Sequence, residues 1–385
     1  MMLHLSELRR RVITELMAAG FEMDGGLVRP PDPEDKEGIR ALHATQRRQV
    51  LVKNAKFIAE HEPTLLHWFA DGANVNPAKI EPNVIPVDSE EQAAVFRFAS
   101  LHWSVPVSHG YGRRTRFLLV DRHNDKLIGI FALGDPVFNL GVRDSVIGWG
   151  QRQRRERLYN VFDAYVLGAV QPYRQLIGGK LVALAAVSNS VTAFLERKYK
   201  GTTTHIQGVK KIATPVLITT TSALGRSSTY NRIKYHDRKV FIPVGYSKGF
   251  GHFQFSEELF EDLVALVEED ESFRGNEYGE GPNWKIRTIR SALEKLGLSG
   301  GLLRHGIRRE VYLAPLGVSW RAFLRGETDN FQPFDFPLEE MASFFRERWA
   351  VPRAERRPKF RQWDRDNIRL TQSLEEDALQ ARTLF

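Results

Sequence analysis

"YVLGAVQPYRQLIGGKLVALAA", Tyr165–Ala186, is the stretch on which the fold turns. It opens on apolar residues, crosses Pro172–Tyr173–Arg174–Gln175, reaches the pair Gly178–Gly179 and continues as an amphipathic segment. That order predicts a strand, a polar elbow and a helix. Free amides at a helix start carry positive potential, and glycines let a ligand approach the backbone closely. The elbow is therefore a candidate phosphate cradle, with Gln175, Gly178 and Gly179 as its cofactor-binding residues; the cofactor itself is left open.

Working outward, "RTRFLLVDRHNDKLIGIFALGD" predicts two strands joined by an Asn-Asp turn. "SVIGWG", "TPVLITTTSAL", "KVFIPVGYS", "FGHFQFS" and "REVYLAPL" predict further strands, and "NVNPAKIEPNVIPVDS" a loop. Helices are predicted over "SELRRRVITELMAAG" with Ser6 as N-cap and Gly20 as C-cap, over Asp35–Glu60, and over "SEEQAAVFRFASLHW" with Ser89 as N-cap. "GGKLVALAAVSNSVTAFLERKY" predicts one long helix, "SEELFEDLVALVEEDESF" a helix capped by Ser256, and "WKIRTIRSALEKLG" and "LEEMASFFRERWA" two more. The fold class is α/β (α+β). A helical region at 1–75 precedes a mixed-sheet core at 76–255; an α/β extension at 256–350 and a loosely packed basic tail at 351–385 follow.

Composition narrows the function. The chain has 385 residues, 42% of them hydrophobic and 26% charged, which suits a globular protein with a real core. No apolar run approaches the roughly 20 residues that cross a bilayer, and no signal-peptide core is present. A cytoplasmic location without a membrane partner is expected. The absence of cysteine excludes disulfides, thiolate metal sites and a Cys nucleophile.

The formal charge is +8, and the basic residues cluster in "QRQRRER", Gln151–Arg157, and "RERWAVPRAERRPKFR", Arg346–Arg361. Such runs suit phosphate contact, so nucleic acid, DNA rather than RNA, is the expected partner. Arg152, Arg154, Arg155 and Arg157 would make those contacts. In "RDSVIGWG", Arg143 and Asp144 form a polar pair and Trp149 offers a stacking face for a base. "LGRSSTYNR" sets Arg226, hydroxyl residues, Asn231 and Arg232 directly after a β-branched strand, a mix that fits phosphate oxygens. Catalytic roles fall to Asp144, Arg226, Tyr230 and His252, with Arg143 and Asn231 on nucleic acid.

Metal is not assigned, because His236, Asp237 and His252 have weak metal spacing. Ser227 or Ser228 with His252 leaves nucleophile–base catalysis open, although no nucleophile elbow supports it. "GYSKGFG" lacks a Walker ending and argues against an NTPase. A metal nuclease would need Asp121, Asp135, Asp144 or Asp163 to converge.

Two resemblances add to this reading. The elbow and its preceding hairpin resemble GNAT-type N-acetyltransferases, in which a strand ends in a loop whose amides hold the pyrophosphate of coenzyme A. Here Tyr173 stands where that loop has Arg or Gln, and Leu176 where it has Gly, so weak or absent acetyl-CoA binding is expected. "RDSVIGWGQRQRRERLYNVFDAYVLGAV", "GGKL" and "TPVLITTTSALGRSSTYNRIKYHDRKVFIPVGYSKGFGHF" are similar to the DruA family of the Druantia anti-phage systems, over about residues 35–255. That resemblance implies a prokaryotic defence or mobile-element setting and partner defence proteins, a helicase among them, but supplies no catalytic residues. The leading reading is a defence component acting on or near nucleic acid. An acyl-CoA-type transferase and a non-catalytic scaffold subunit are the alternatives.

Overall fold

The computed structural model describes residues 2–24, 27–29, 36–107, 112–202, 213–247, 249–268, 284–372 and 374. Its centre is a seven-stranded mixed sheet of β1 (Pro82–Pro86), β2 (Arg114–Asp121), β3 (Lys126–Gly134), β4 (Val161–Ala169), β5 (Leu217–Thr221), β6 (Ile242–Tyr246) and β7 (Glu310–Pro315). Across the sheet the order is β6-β7-β5-β4-β3-β2-β1. Every neighbouring pair is antiparallel except β4 and β5, which run parallel. Their ladder covers only Val161–Leu217, Phe162–Ile218 and Asp163–Thr219, although β4 continues to Ala169 beside β3. The sheet therefore opens at that point.

Strands β2 and β3 lie between two helical layers, which is why they read as unbroken apolar runs. Phe117, Leu119, Phe131 and Leu133 share a core with Gly179–Ala186, Asn189–Tyr199 and Leu338–Phe345. Their neighbours Leu118, Val120, Ile130 and Ala132 pack with Ala55–Leu65 and Glu90–Leu101. Side chains alternate faces every residue, so one strand supplies both cores. Each of these side chains larger than alanine stabilises the fold by about 1.5–3 kcal/mol. A separate cluster joins Met2–Ala18 to Glu257–Glu268 and Trp284–Lys295.

Several expectations hold. Ser89 and Gln92 form a capping box at Glu90–Leu101. Ser256 Oγ accepts from Leu259 N, while Glu15 accepts from Ser256, tying two distant helices together. Gly20 has φ +84 and closes the first helix. The first helix, however, begins at Met2, which puts Ser6 inside it.

Others are corrected. "SVIGWG" is the end of a helix, Gly141–Ile147, closed by left-handed Gly148, whose N–H donates to Asp144 O. Pro82–Pro86 is a strand and not a loop; it lies at the sheet edge, where a proline without an N–H is tolerated. "FGHFQFS" is a turn in which Phe250 makes one bridge to Arg304. The long helix breaks at Ser188, whose Oγ donates to Ala185 O. The acidic helix ends at Glu268 among the described residues, and the rest of its expected span lies outside them. Nor are the described residues just beyond Val351 loosely packed, since Phe360, Ile368 and Leu370 are buried; the rest of the expected tail lies outside the described residues. Among the described residues no helix is long and apolar enough to cross a membrane.

Candidate functional site

The elbow forms as expected at the open end of the β4–β5 pair. After Ala169 the chain takes a 3-10 turn, Tyr173–Leu176, passes Ile177 at φ +61 and enters Gly179–Ala186. Its geometry answers to its own backbone first. Gly178 N donates to Tyr173 O at 2.8 Å, and a Cβ on Gly178 would lie 2.7 Å from that oxygen. Glycine is needed there for the turn itself, whether or not a ligand binds. Tyr173 and Leu176 point into the core, and Tyr173 OH donates to Asp121 Oδ2 at 2.8 Å. Burial beside Asp121 pushes the Tyr173 hydroxyl well above the ordinary tyrosine range. Gln175 contributes its carbonyl, which accepts from Arg353 Nε at 3.2 Å.

The residue that gives this end its charge is Lys180, which the sequence reading did not single out. Its side chain is buried, with Nζ 4.1 Å from the Trp349 ring centre. Burial, reinforced by Arg232 and Arg348, lowers its amine to about 8. Among the described residues no carboxylate counters that shift at Lys180. The three come from three elements: the start of a helix, the "LGRSSTYNR" loop and the C-terminal basic run. The glycine pair followed by lysine was the available signal.

That loop is held from beneath by β7. Asn231 Nδ2 lies 2.8 Å from both Glu310 Oε2 and Tyr312 OH and 3.0 Å from Ser227 O. Tyr312 OH also donates to Glu310, and burial pushes that hydroxyl upward. Tyr230 packs on Phe241 and Tyr312. Its hydroxyl is pushed up to about 12, chiefly by burial, and bonds Thr220. Arg226 is 72% exposed and 3.9 Å from Glu310. Asn231 and Tyr230 thus brace the loop, while Arg226 faces solvent.

"RDSVIGWG" is a different kind of feature. Arg143 is fully buried and donates to Asp144 Oδ1, Val137 O and Phe138 O. Asp144 also accepts from Leu140 N, Trp149 Nε1 and Arg154. Trp149 is buried against Ile147, Leu217 and Trp320. The expected polar pair and stacking face at a site mouth are therefore corrected: in this conformation these groups are spent inside the chain. The run Gln151–Arg157 divides likewise. Arg152 and Arg155 are exposed, whereas Arg154 lies against Asp144 and Phe138, and Arg157 against Asp329 and Phe323.

His252 lies in the turn before Glu257–Glu268, with its ring value lowered by burial and by Lys285. Among the described residues no hydrogen bond joins it to Ser227 or Ser228. The four carboxylates considered for a nuclease are separately engaged: Asp121 by Tyr173, Asp135 by Arg113, Asp144 by Arg143 and Asp163 by Thr219. Among the described residues no group of three or more metal-binding side chains comes together.

No solved structure matches this chain. Similarity to known sequences is extensive. The chain is 41% identical over 365 residues to the Druantia protein DruA of Escherichia coli (strain UMEA 4076-1), covering 93% of this chain and 90% of that protein. The family description "Druantia protein DruA" matches residues 33–326, a span holding the whole sheet, the elbow and the loop braced by Glu310 and Tyr312. With both the length and the site-bearing elements shared, the chain belongs to the Druantia protein DruA family.

Proposed function

We propose that this chain serves in Druantia anti-phage defence by holding nucleic-acid phosphates where β4 and β5 part. The observation that carries the reading is the buried Lys180 amine beside Arg232 and Arg348, with no carboxylate countering its shift among the described residues. Lys180 is buried while Arg232 and Arg348 are exposed, so an anion reaching the buried amine would restore the favourable interaction that burial has cost it. Arg226, Arg356, Arg357, Lys359 and Arg361 are exposed and extend the positive field. Other defence proteins, a helicase among them, would act on the strand held there.

Fluorescence anisotropy with single- and double-stranded DNA across a salt series tests this. Affinity is expected to fall steeply with salt and to weaken for all sequences alike in Lys180→Glu/Arg232→Glu. Parental binding by a folded double variant would overturn the reading.

One observation favours a second reading, a GNAT-like core with an acyl-CoA-type donor. The strand–elbow–helix unit stands at the one parallel pair, where a cofactor could enter the open sheet. Against tight binding, the Gly178 amide is already bonded to Tyr173 O. Acetyl-CoA is expected to bind weakly or not at all by calorimetry; tight binding lost in Lys180→Glu would promote the transferase.

A further inference from the structure

The elbow holds an amine in surroundings that suit chemistry as well as charge. Lys180 is only 7% exposed, in a helix where Leu181 to Ala186 are all buried. Its Nζ lies 4.1 Å from the Trp349 ring centre and, among the described residues, makes no hydrogen bond or ion pair. That nitrogen is not sealed off, and keeps some surface open to solvent. Trp349 and Arg348 both come from a π-helical turn, Arg346–Ala350, a form of helix that recurs at functional sites. On the elbow side, Lys180 N donates at 2.9 Å to the carbonyl of Ile177, a β-branched residue held at φ +61. Such backbone strain persists where the surrounding structure over-determines it, as sites do. The "LGRSSTYNR" loop closes on the same place, since a Cβ on Gly179 would lie 3.9 Å from Thr229 Cγ2.

Lysine is almost never buried without a partner, because an unpaired ammonium is costly away from water. Burial and two neighbouring cations both favour the neutral amine here. With its value at about 8, roughly a tenth of the amine is neutral at pH 7, against about one part in three thousand for an ordinary lysine. A desolvated amine beside other cations is the arrangement that activates lysine to attack carbonyl carbons. The exposed guanidinium forks of Arg232 and Arg348 suit a phosphate on the same molecule. A DNA strand joins an aldehyde to phosphates where a base has been lost, because the opened deoxyribose there presents a free C1′ carbonyl.

We propose that Lys180 is a nucleophile that captures the aldehyde of a sugar phosphate, in an abasic DNA strand or free. The inference rests on the reading of the elbow as a phosphate site and names the substrate class of that site. The amine lone pair forms an N–C bond to the carbonyl carbon. The carbonyl oxygen takes the two amine protons and leaves as water, giving an imine that water reverses.

The experiment incubates the full chain with an oligodeoxynucleotide carrying an abasic site, or with 2-deoxyribose 5-phosphate, and adds cyanoborohydride. Reduction converts the imine to a stable secondary amine, which peptide mass spectrometry locates. An adduct on Lys180 is expected, forming faster as pH rises from about 6.5 and levelling near 8.5, whereas an ordinary lysine goes on gaining past about 10. Lys180→Arg keeps the charge but cannot form the imine, and should yield at least about tenfold less adduct at saturating ligand. Lys56→Arg, at a side chain 88% exposed, should react like the parent. An adduct with the strand assigns the abasic strand; an adduct with the sugar phosphate alone assigns the free ligand. No adduct with either overturns the proposal, as does one spread over exposed lysines or one undiminished in folded Lys180→Arg. Should that variant fail to fold, the position of the adduct on the parental chain decides. Anisotropy with an intact strand keeps the two readings apart. Binding of that strand without any adduct overturns the nucleophile alone, whereas an adduct on Lys180 from the sugar phosphate without strand binding overturns the nucleic-acid reading alone.

Discussion

Asp144 and Arg226 show how differently two charged residues of similar local appearance behave. Asp144 has both oxygens occupied by Leu140 N, Arg143, Trp149 and Arg154. Removing it would take from the buried Arg143 guanidinium its hydrogen-bonded counter-charge, leaving only the weaker influence of Asp163. Asp144→Ala should therefore destabilise the chain by about 3–5 kcal/mol, read as a large fall in the thermal midpoint. A variant that stays fully stable but loses activity would return Asp144 to a catalytic role. Arg226 is 72% exposed with a long 3.9 Å contact to Glu310, so Arg226→Ala should leave the midpoint nearly unchanged. If the loop holds phosphate, the same variant should weaken DNA binding. A short window of sequence contains residue types and spacing but not burial. "RDSVIGWG" and "LGRSSTYNR" therefore both read as candidate sites, and only tertiary packing separates a hub from a solvent-facing loop. Lys180 was missed for the same reason, because Arg232 and Arg348 approach it from distant parts of the chain.

Elements were legible where the local signal and the tertiary demand agree. The Ser89 capping box, the Ser256 cap, the β2–β3 hairpin and the elbow each carry a turn or cap that works within a few residues. The failures fall where tertiary context decides. Prolines at Pro82 and Pro86 argued for a loop, yet an edge strand needs its N–H groups on one side only. The polar tail looked loose because its anchor is far away in sequence: buried Glu62 accepts from Leu370 N at 2.5 Å and from Thr371 Oγ1 at 2.6 Å. Glu62→Ala would leave those donors without partners, a cost of about 1–3 kcal/mol. Limited proteolysis should then cut the chain near Leu370 sooner than in the parent. An unchanged cleavage pattern would mean that packing of Phe360 and Ile368 holds the segment by itself.

At the scale of the whole molecule, the helices on either side of His43 are fastened to the sheet-bearing body through buried histidines, and this makes stability depend on pH. His43 Nε2 accepts from Arg309 at 2.9 Å, its Nδ1 meets Gln46 Oε1 at 3.0 Å, and its ring lies on Phe253, which also contacts His305. Burial lowers His43 from the ordinary 6.5 to about 4; Gln46 opposes that shift and Arg309 adds to it. Burial, Arg309 and His43 lower His305 to about 4 as well. Both rings are therefore neutral in the fold. As pH falls below about 6.5 the unfolded chain takes up protons that the folded chain refuses until near 4, so stability is full above that window and drains away through it. Between pH 7.5 and 5.5 the loss should be about 1 kcal/mol for each ring. Thermal midpoints measured at both values should fall on the acid side, and His43→Gln should shrink the difference by making that position non-titrating. A midpoint that is flat or rises toward pH 5.5 would show that these rings are solvated and charged, and that the join between the helices and the sheet is not built on them.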